Sequence, residues 1–303
     1  MVGVAFFGKN VVYGQQISDN NIPVIEMVGN TTLLTQWSIE NINQSGFRKE
    51  VTSLFETIKN DLHFPDRQMS LVLPSDWLHY YTLLVDQALE PDDQRAYLRW
   101  EFRQRLGDLS SLFHPQFYPM SSADGYRTVV TVAVPENLVP VLKNAGDTVH
   151  FEVNSIELSP FSTLTNIPDT VPTGCLCKFY ANTIEITTFE DRIFVGSALF
   201  SINEDAELSM IRSSGSESAA KELQAVLSAL LSQESGGMPV FIYGTALPES
   251  IQLLAESDDN VSYIQPFEDF RVNFRKSSST DVMQEAQYAE VAGTIRQALG
   301  DSV

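Results

Sequence analysis

Two stretches of this chain share one order of sequence patterns, and together they constrain its fold more than any other feature. Residues 174–200 contain three segments in which apolar and polar side chains alternate, separated by a tight connection and by a polar turn. Residues 2–28 repeat this order, with a glycine in the first turn. Alternation with a period of two is typical of half-buried strands. Each stretch is followed by helix-forming sequence, so the 303 residues are predicted to form two similar lobes.

A linker composition marks the expected boundary between the lobes. Residues 166–174 (NIPDTVPTG) contain two prolines and end in glycine, and we place the boundary there. Before it, residues 47–62 have the apolar spacing of an amphipathic helix. A second helix is predicted from Pro91, with acids in its first turn, to Gly107, and a valine-rich strand from Tyr126 to Pro135.

The charge of the chain limits its partners. Asp and Glu outnumber Lys and Arg by 39 to 19, which gives a formal net charge of −20. Nucleic acids and anionic membrane surfaces are negative, so neither is an expected partner. A partner with basic segments fits this charge, and so does simple solubility. There are two cysteines and no apolar run of about 20 residues, so we expect a soluble cytoplasmic protein with reduced thiols.

The order and spacing of several short motifs resemble those of the type IV pilus assembly protein PilM and its relatives, which have an actin-like fold. The resemblance covers nearly the whole chain, and its individual motifs are degenerate. They are the proline-ended strand Leu71–Pro74, Trp100-Glu101 on a helix, Val129–Pro135, Ala145-Gly146, Ile156–Phe161, Ile264–Glu268 and the closing helical residues 287–300.

The resemblance implies an α/β (α+β) fold with two ribonuclease H-like lobes and a small subdomain inserted in lobe one. Lobe one is then predicted to comprise residues 1–76 and 127–168, the inserted subdomain residues 77–126, and lobe two residues 169–281. The closing helix, residues 282–299, is predicted to pack back on lobe one.

The nucleotide motifs of actin-like proteins are altered here. In such proteins, a glycine-containing turn in each lobe holds phosphates, an aspartate organises Mg²⁺ through water, and a late glycine-rich turn approaches the adenosine. The first aspartate falls on Ala5, and the second falls near Lys178-Phe179-Tyr180. Without these carboxylates, MgATP hydrolysis is not expected, and neither is a resident metal or cofactor. The degenerate cleft is predicted to comprise Ala5, Phe7, Gly8, Lys178, Asn182, Thr183, Gly244 and Thr245.

Two functions follow from the resemblance. The first is a non-catalytic scaffold at the inner-membrane face of a type IV pilus or type II secretion-like machine. It would bind the basic cytoplasmic tail of a single-pass, PilN-like membrane protein between lobe one and the inserted subdomain, and would reach the membrane only through that partner. The residues expected to contact the tail are Trp77, Tyr80, Tyr81, Trp100 and Glu101, although the aromatic residues fit the core of the subdomain equally well.

The second function is an ATP-binding, actin-like enzyme with an unusual phosphate site at Gly8-Lys9-Asn10, Lys178 and Gly244. In that case a lysine would hold phosphate without a metal ion. Both hypotheses leave homo-oligomerisation open.

Overall fold

The computed structural model describes residues 1–19, 22–35, 39–62, 67–203, 207–214, 217–232, 237–272 and 285–299. Its strands are β1 (Val2–Phe7), β2 (Asn10–Asp19), β3 (Ile22–Thr32), β4 (Gln68–Leu73), β5 (His79–Asp86), β6 (Phe113–Ala123), β7 (Tyr126–Pro135), β8 (Glu152–Leu158), β9 (Thr173–Tyr180), β10 (Thr183–Glu190), β11 (Ile193–Ile202), β12 (Leu208–Ser213), β13 (Val240–Gly244), β14 (Val261–Tyr263) and β15 (Arg271–Val272).

The helices are α1 (Ile39–Ile42), α2 (Ser45–Asp61), α3 (Pro91–Leu106), α4 (Leu138–Thr148), α5 (Ser159–Leu164), α6 (Glu217–Leu231), α7 (Glu249–Ser257) and α8 (Ala289–Leu299). Two 3₁₀ helices span Ser75–Trp77 and Gly107–Leu112. Residues 281–284, where lobe two was predicted to end and the closing helix to begin, lie outside the described residues.

Two six-stranded sheets have the same internal arrangement, which explains the repeated sequence pattern. The strand order is β15-β3-β2-β1-β4-β8 in lobe one and β12-β11-β10-β9-β13-β14 in lobe two. The first strand of each sheet, β1 or β9, is antiparallel to the next strand and parallel to β4 or β13, respectively. Both first strands are buried almost throughout, as expected for a strand in the middle of a covered sheet.

The helices cover these sheets with their apolar faces. In α2 the buried residues are Phe47, Val51, Leu54, Phe55 and Ile58, which is the predicted helical spacing. Helix α8 packs against α5 and against β1 of lobe one. Described helices are all too short or too polar to cross a membrane.

The inserted subdomain contains a three-stranded sheet with the order β5-β7-β6. Its central strand, β7, spans Tyr126–Pro135 and so continues beyond residue 126, the predicted end of the insert. Both faces of β7 are buried. Val129 packs with Leu83 and Leu98 beneath α3, whereas Val130 joins the core of lobe one.

Strand β6 has no clear strand pattern in its sequence. Its prolines, Pro115 and Pro119, indicate a loop more than a strand, because proline cannot donate a ladder hydrogen bond. In the structure, β6 lies at the edge of the small sheet, where such donors are dispensable.

Candidate functional site

Two aromatic side chains meet between the first turns of the two lobes. Phe7 ends β1, Tyr180 ends β9, and their ring centroids lie 6.4 Å apart in an edge-to-face arrangement. Both residues are at most 2% exposed. Tyr180 also lies beside Gly8, where an added Cβ would stand 3.8 Å from its ring. The rings therefore fill the space between the two turns.

Lys178 is committed to a buried ion pair. Its Nζ lies 2.6 Å from Oε1 of Glu290, and both side chains are at most 1% exposed. The ammonium also donates to Ser159 Oγ at 3.0 Å, and Ser159 in turn donates to Glu290. The hydroxyl of Tyr243 lies 3.5 Å from Oε1 of Glu290. The ammonium of Lys178 also lies over the ring of Phe7, with 4.2 Å between Nζ and the ring centroid. The lysine thus joins β9 of lobe two to α5 and α8.

A second group of buried charges lies next to this pair. Burial raises the pKa of Glu185 to about 7, although nearby Lys178 favours the ionised form. Burial also raises the pKa of Asp76, against the opposing effects of Lys178 and Arg212. Arg212 donates to the backbone oxygen of Ser75, which ties β12 to the segment after β4.

The cavity at this second group is too small for a nucleotide. Its volume is about 10 Å³, which is room for a single water. Among the described residues, no group of three or more His, Cys, Asp or Glu side chains is placed to hold a metal ion. The cavity is lined by Ser75, Tyr80, Glu185, Ser197, Leu199, Arg212, Ser213 and Ser214.

The surviving glycine of the late turn serves strand packing. Gly244 has φ +129°, and a Cβ there would lie 2.0 Å from the backbone oxygen of Phe179. The following amide, of Thr245, donates to that oxygen at 2.9 Å. Close approach of β13 to β9 therefore accounts for this glycine without a nucleotide.

The other predicted cleft residues are spread between the core and the surface. Ala5 is fully buried in the middle of β1, opposite Val12. Asn182 is exposed in the turn that follows Tyr180, and half-buried Thr183 begins β10. The structure thus brings Phe7, Gly8 and Lys178 together. The other cleft residues lie apart, in β1, on the β10 side of β9 and on its β13 side.

The five residues predicted to contact a partner do not form one surface. Trp77 and Tyr80 are at most 6% exposed. They pack on Phe6 of lobe one and Phe194 of lobe two, respectively, and not within the core of the subdomain. Tyr81 is half-buried beneath the guanidinium of Arg105. Glu101 bonds to Tyr97 and Arg105 on α3, and Trp100 on the same helix is 53% exposed.

A groove separates the inserted subdomain from lobe one. Its volume is about 340 Å³, and it lies between the edge strands β6 and β8, with α4 along one side. One wall of this groove is β6, whose prolines hide it from sequence patterns, so its lining residues were not among those predicted. The lining residues are Leu73, His114, Gln116, Tyr118, Val134, Pro135, Glu136, Val139, Lys143, Asn154, Ile156 and Leu158.

A row of four aromatic rings connects the insert to lobe two. Tyr118 of β6 packs on Phe161 of α5 at 5.3 Å between centroids, and Phe161 packs on Phe194 of β11 at 5.4 Å. Phe194 then stacks with Tyr80 of β5 at 6.2 Å. The backbone amide of Thr82 also donates to the Ser214 oxygen at 2.9 Å. These contacts hold the cleft in its closed arrangement.

The chain is similar in fold to proteins of known structure. No protein family matches its sequence, and no curated protein does either. A solved PilM–PilN type IV pilus biogenesis complex is 13% identical, with 97% of each chain covered and a TM-score of 0.70. The cytoplasmic domain of EpsL, an inner-membrane component of the type II secretion system of Vibrio cholerae, is 12% identical, with 100% of this chain and 95% of that one covered and a TM-score of 0.47.

A Bacteroides thetaiotaomicron protein of unknown function with an actin-like ATPase fold is 10% identical, with 88% of this chain and 90% of that one covered and a TM-score of 0.42. Of these three TM-scores the first exceeds 0.5, and the fold is argued from that match. It confirms the predicted fold class, an actin-like, two-lobed α/β fold similar to that in the PilM–PilN structure.

Proposed function

We propose that this chain is a non-catalytic scaffold at the cytoplasmic face of a type IV pilus or type II secretion-like assembly machine. In this role it binds the cytoplasmic tail of a PilN-like inner-membrane protein in the groove between β6 and β8. The observation that carries the proposal is a closed interlobe cleft next to an open groove on the same molecule.

The closed cleft supports a non-catalytic role. Phosphoryl transfer needs a positioned phosphate chain and a compensated metal ion. Here Phe7 and Tyr180 fill the space between the phosphate turns, and Glu290 neutralises the lysine that could replace the metal ion.

The two edge strands make the groove suitable for an extended peptide. Among the described strands, β8 pairs only with β4, and β6 pairs only with β7. Pro115 and Pro119 have no backbone N–H group, so β6 lacks two hydrogen-bond donors that would point to the same side of the strand. Strand β8 is therefore the better template for an added strand, with Ile156 and Val139 as apolar contacts for the side chains of the peptide.

The expected character of the peptide comes from charge and from fold. The net charge of −20 favours a basic tail through long-range attraction. The similar solved structure is a PilM–PilN complex, so a protein of this fold occurs together with a PilN protein.

The groove is tested with a synthetic basic peptide, the N-terminal cytoplasmic tail of a PilN protein such as the one in the similar solved complex. We expect Ile156→Arg and Gln116→Arg each to weaken binding at least about tenfold, because the added guanidinium occupies the groove and repels a basic peptide. Isothermal titration calorimetry measures the change, and thermal unfolding verifies the fold. Gln116 is exposed, so its replacement leaves the core intact.

Two variants serve as controls for this experiment. Leu253→Arg changes an apolar residue that is 54% exposed on α7 of lobe two, far from the groove, and should bind like the wild type. Trp100→Ala on α3 should do the same. Loss of binding in Trp100→Ala, with normal binding in both groove variants, would move the site to α3 and contradict the proposal.

The ATP-binding alternative is tested by thermal unfolding in millimolar ATP or ADP with Mg²⁺. We expect an unchanged Tm, because the phosphate positions are filled. A ligand at a hundredfold its Kd would add about 2.7 kcal/mol, which corresponds to a rise of several degrees. A rise that disappears in Lys178→Met would restore the alternative.

A further inference from the structure

The outer face of α3 carries a stripe of arginines around an exposed tryptophan, which we call the arginine face. Arg95, Arg99 and Arg103 follow one another at intervals of four residues and are all exposed, and Trp100 lies beside them. Residues four apart lie on one side of a helix, so the three guanidinium groups span about 12 Å along it. The groove proposed for the tail lies on the other side of the insert, between β6 and β8.

The charge of this face is opposite to that of the protein. Across the chain, acidic residues outnumber basic ones by 39 to 19. Arg99 and Arg103 form no ion pair with any residue that the structure describes. Arg95 forms an exposed ion pair of 3.5 Å with Asp92 and donates to the Pro91 backbone oxygen at 3.4 Å. Glu101 is already paired with Arg105 at 3.4 Å, so it does not neutralise the stripe.

Helix stability alone does not account for these arginines. A cation in the last turn interacts favourably with the helix dipole, which explains Arg103 and Arg105. Arg95 lies in the second turn of α3 and Arg99 near its middle, so neither is in the last turn, where the dipole stabilises a cation. The packing of Trp100 contributes little to the stability of the fold, since this side chain is 53% exposed. Its ring contacts that of Tyr97, with 6.2 Å between the centroids.

We propose that the arginine face docks an acidic segment of another protein. The insert contains five arginines and no lysine between residues 79 and 135. Arginine recognises carboxylates with two parallel hydrogen bonds, and arginine and tryptophan are the residue types that dominate binding energy at protein interfaces. A segment with carboxylates about 6 Å apart and one large apolar side chain would pair with the arginines and cover Trp100. This second interface goes beyond the proposed tail groove and does not depend on it.

The test uses two fluorescein-labelled helical peptides that differ only in charge. One carries glutamates at intervals of four residues around a leucine, and the other carries glutamines at the same positions. Fluorescence anisotropy should show that the wild type binds the glutamate peptide at least about tenfold more tightly than the glutamine peptide. The triple variant Arg95→Gln/Arg99→Gln/Arg103→Gln and the variant Trp100→Ala should each lose at least about tenfold of that affinity.

A matched control and a charge swap distinguish a specific face from general attraction. Arg48→Gln/Lys49→Gln removes exposed cations from α2 and should leave binding of the glutamate peptide unchanged. The variant Arg95→Glu/Arg99→Glu/Arg103→Glu should instead bind a peptide with lysines in place of the glutamates. Equal binding of the glutamate peptide by the wild type and the triple glutamine variant would overturn the proposal. A second result would also overturn it. If the wild type binds phosphatidylserine vesicles but not the glutamate peptide, and the triple glutamine variant does not bind the vesicles, the face recognises lipid.

Discussion

Lys178→Met is expected to destabilise the protein by about 3–5 kcal/mol, the usual effect of removing one partner of a buried ion pair. The change leaves Glu290 with its charge uncompensated, and this carboxylate is fully buried. Burial makes such a charge expensive, whereas the Ser159 hydroxyl alone is a weak substitute for the ammonium. Urea unfolding measures the loss, and differential scanning calorimetry should show a Tm lower by roughly 6–12 °C.

Two further variants isolate the ion pair as the cause. Lys9→Met changes an exposed lysine in the neighbouring turn and should leave the Tm within about a degree of the wild type. Lys178→Met/Glu290→Met removes both charges and should recover most of the lost stability, because an apolar pair can replace a buried ion pair at little cost. A double variant as unstable as Lys178→Met would show that the packing of the aliphatic stem matters, and not the charge.

The sequence revealed the strands and helices of this protein better than it revealed the partners of buried polar groups. The period of two in residues 2–28 and 174–200 is a local property, and it predicted the central strands of both lobes. Lys178 was read as a candidate phosphate ligand because its partner lies on α8, distant in sequence, and no local pattern connects lysine and glutamate. Long-range pairing of this kind depends on how β9 and α8 pack against each other. Local secondary-structure propensity carries no information about that packing.

The inserted subdomain was the least predictable part for a related reason. Strand β6 contains Pro115 and Pro119, and only its position at a sheet edge makes those prolines acceptable. Because the pairing of β6 with β7 is not visible in the sequence, β7 was predicted to belong to lobe one. Tyr80 was predicted to contact a partner for the same reason. Once β6 and β7 are paired, the same aromatic residue lies between the insert and lobe two.

The buried charges and the aromatic row join the two lobes in a way that fits the proposed scaffold, which does not need to open. In a nucleotide-dependent actin-like protein, the lobes must admit a ligand between them. Here Lys178 and Arg212 of lobe two both bond to residues outside that lobe, and Phe194 lies between rings of α5 and β5. Opening the cleft would leave several buried polar groups unpaired at once, each at about 1–3 kcal/mol.

Gly293→Ala is expected to destabilise the protein by about 3 kcal/mol or more, although the same change within a helix usually stabilises. Gly293 lies in α8, and an added Cβ would stand 1.9 Å from the backbone oxygen of Ser162 on α5. Backbone cannot rotate away as a side chain can, so α5 and α8 must separate. Chemical unfolding measures the effect, and calorimetry should show a Tm lower by roughly 6 °C or more.

Gly46→Ala is the matched control, because Gly46 also lies in a helix, α2, and a Cβ there would meet nothing within 4 Å. This variant should be neutral or more stable by up to about 1 kcal/mol. Ser159 of α5 and Glu290 of α8 span the same helix contact that Gly293 permits, so Gly293→Ala and Lys178→Met should not be additive. Additive losses, or a stable Gly293→Ala variant, would mean that α5 and α8 are not held at this distance and that the ion pair does not depend on their contact.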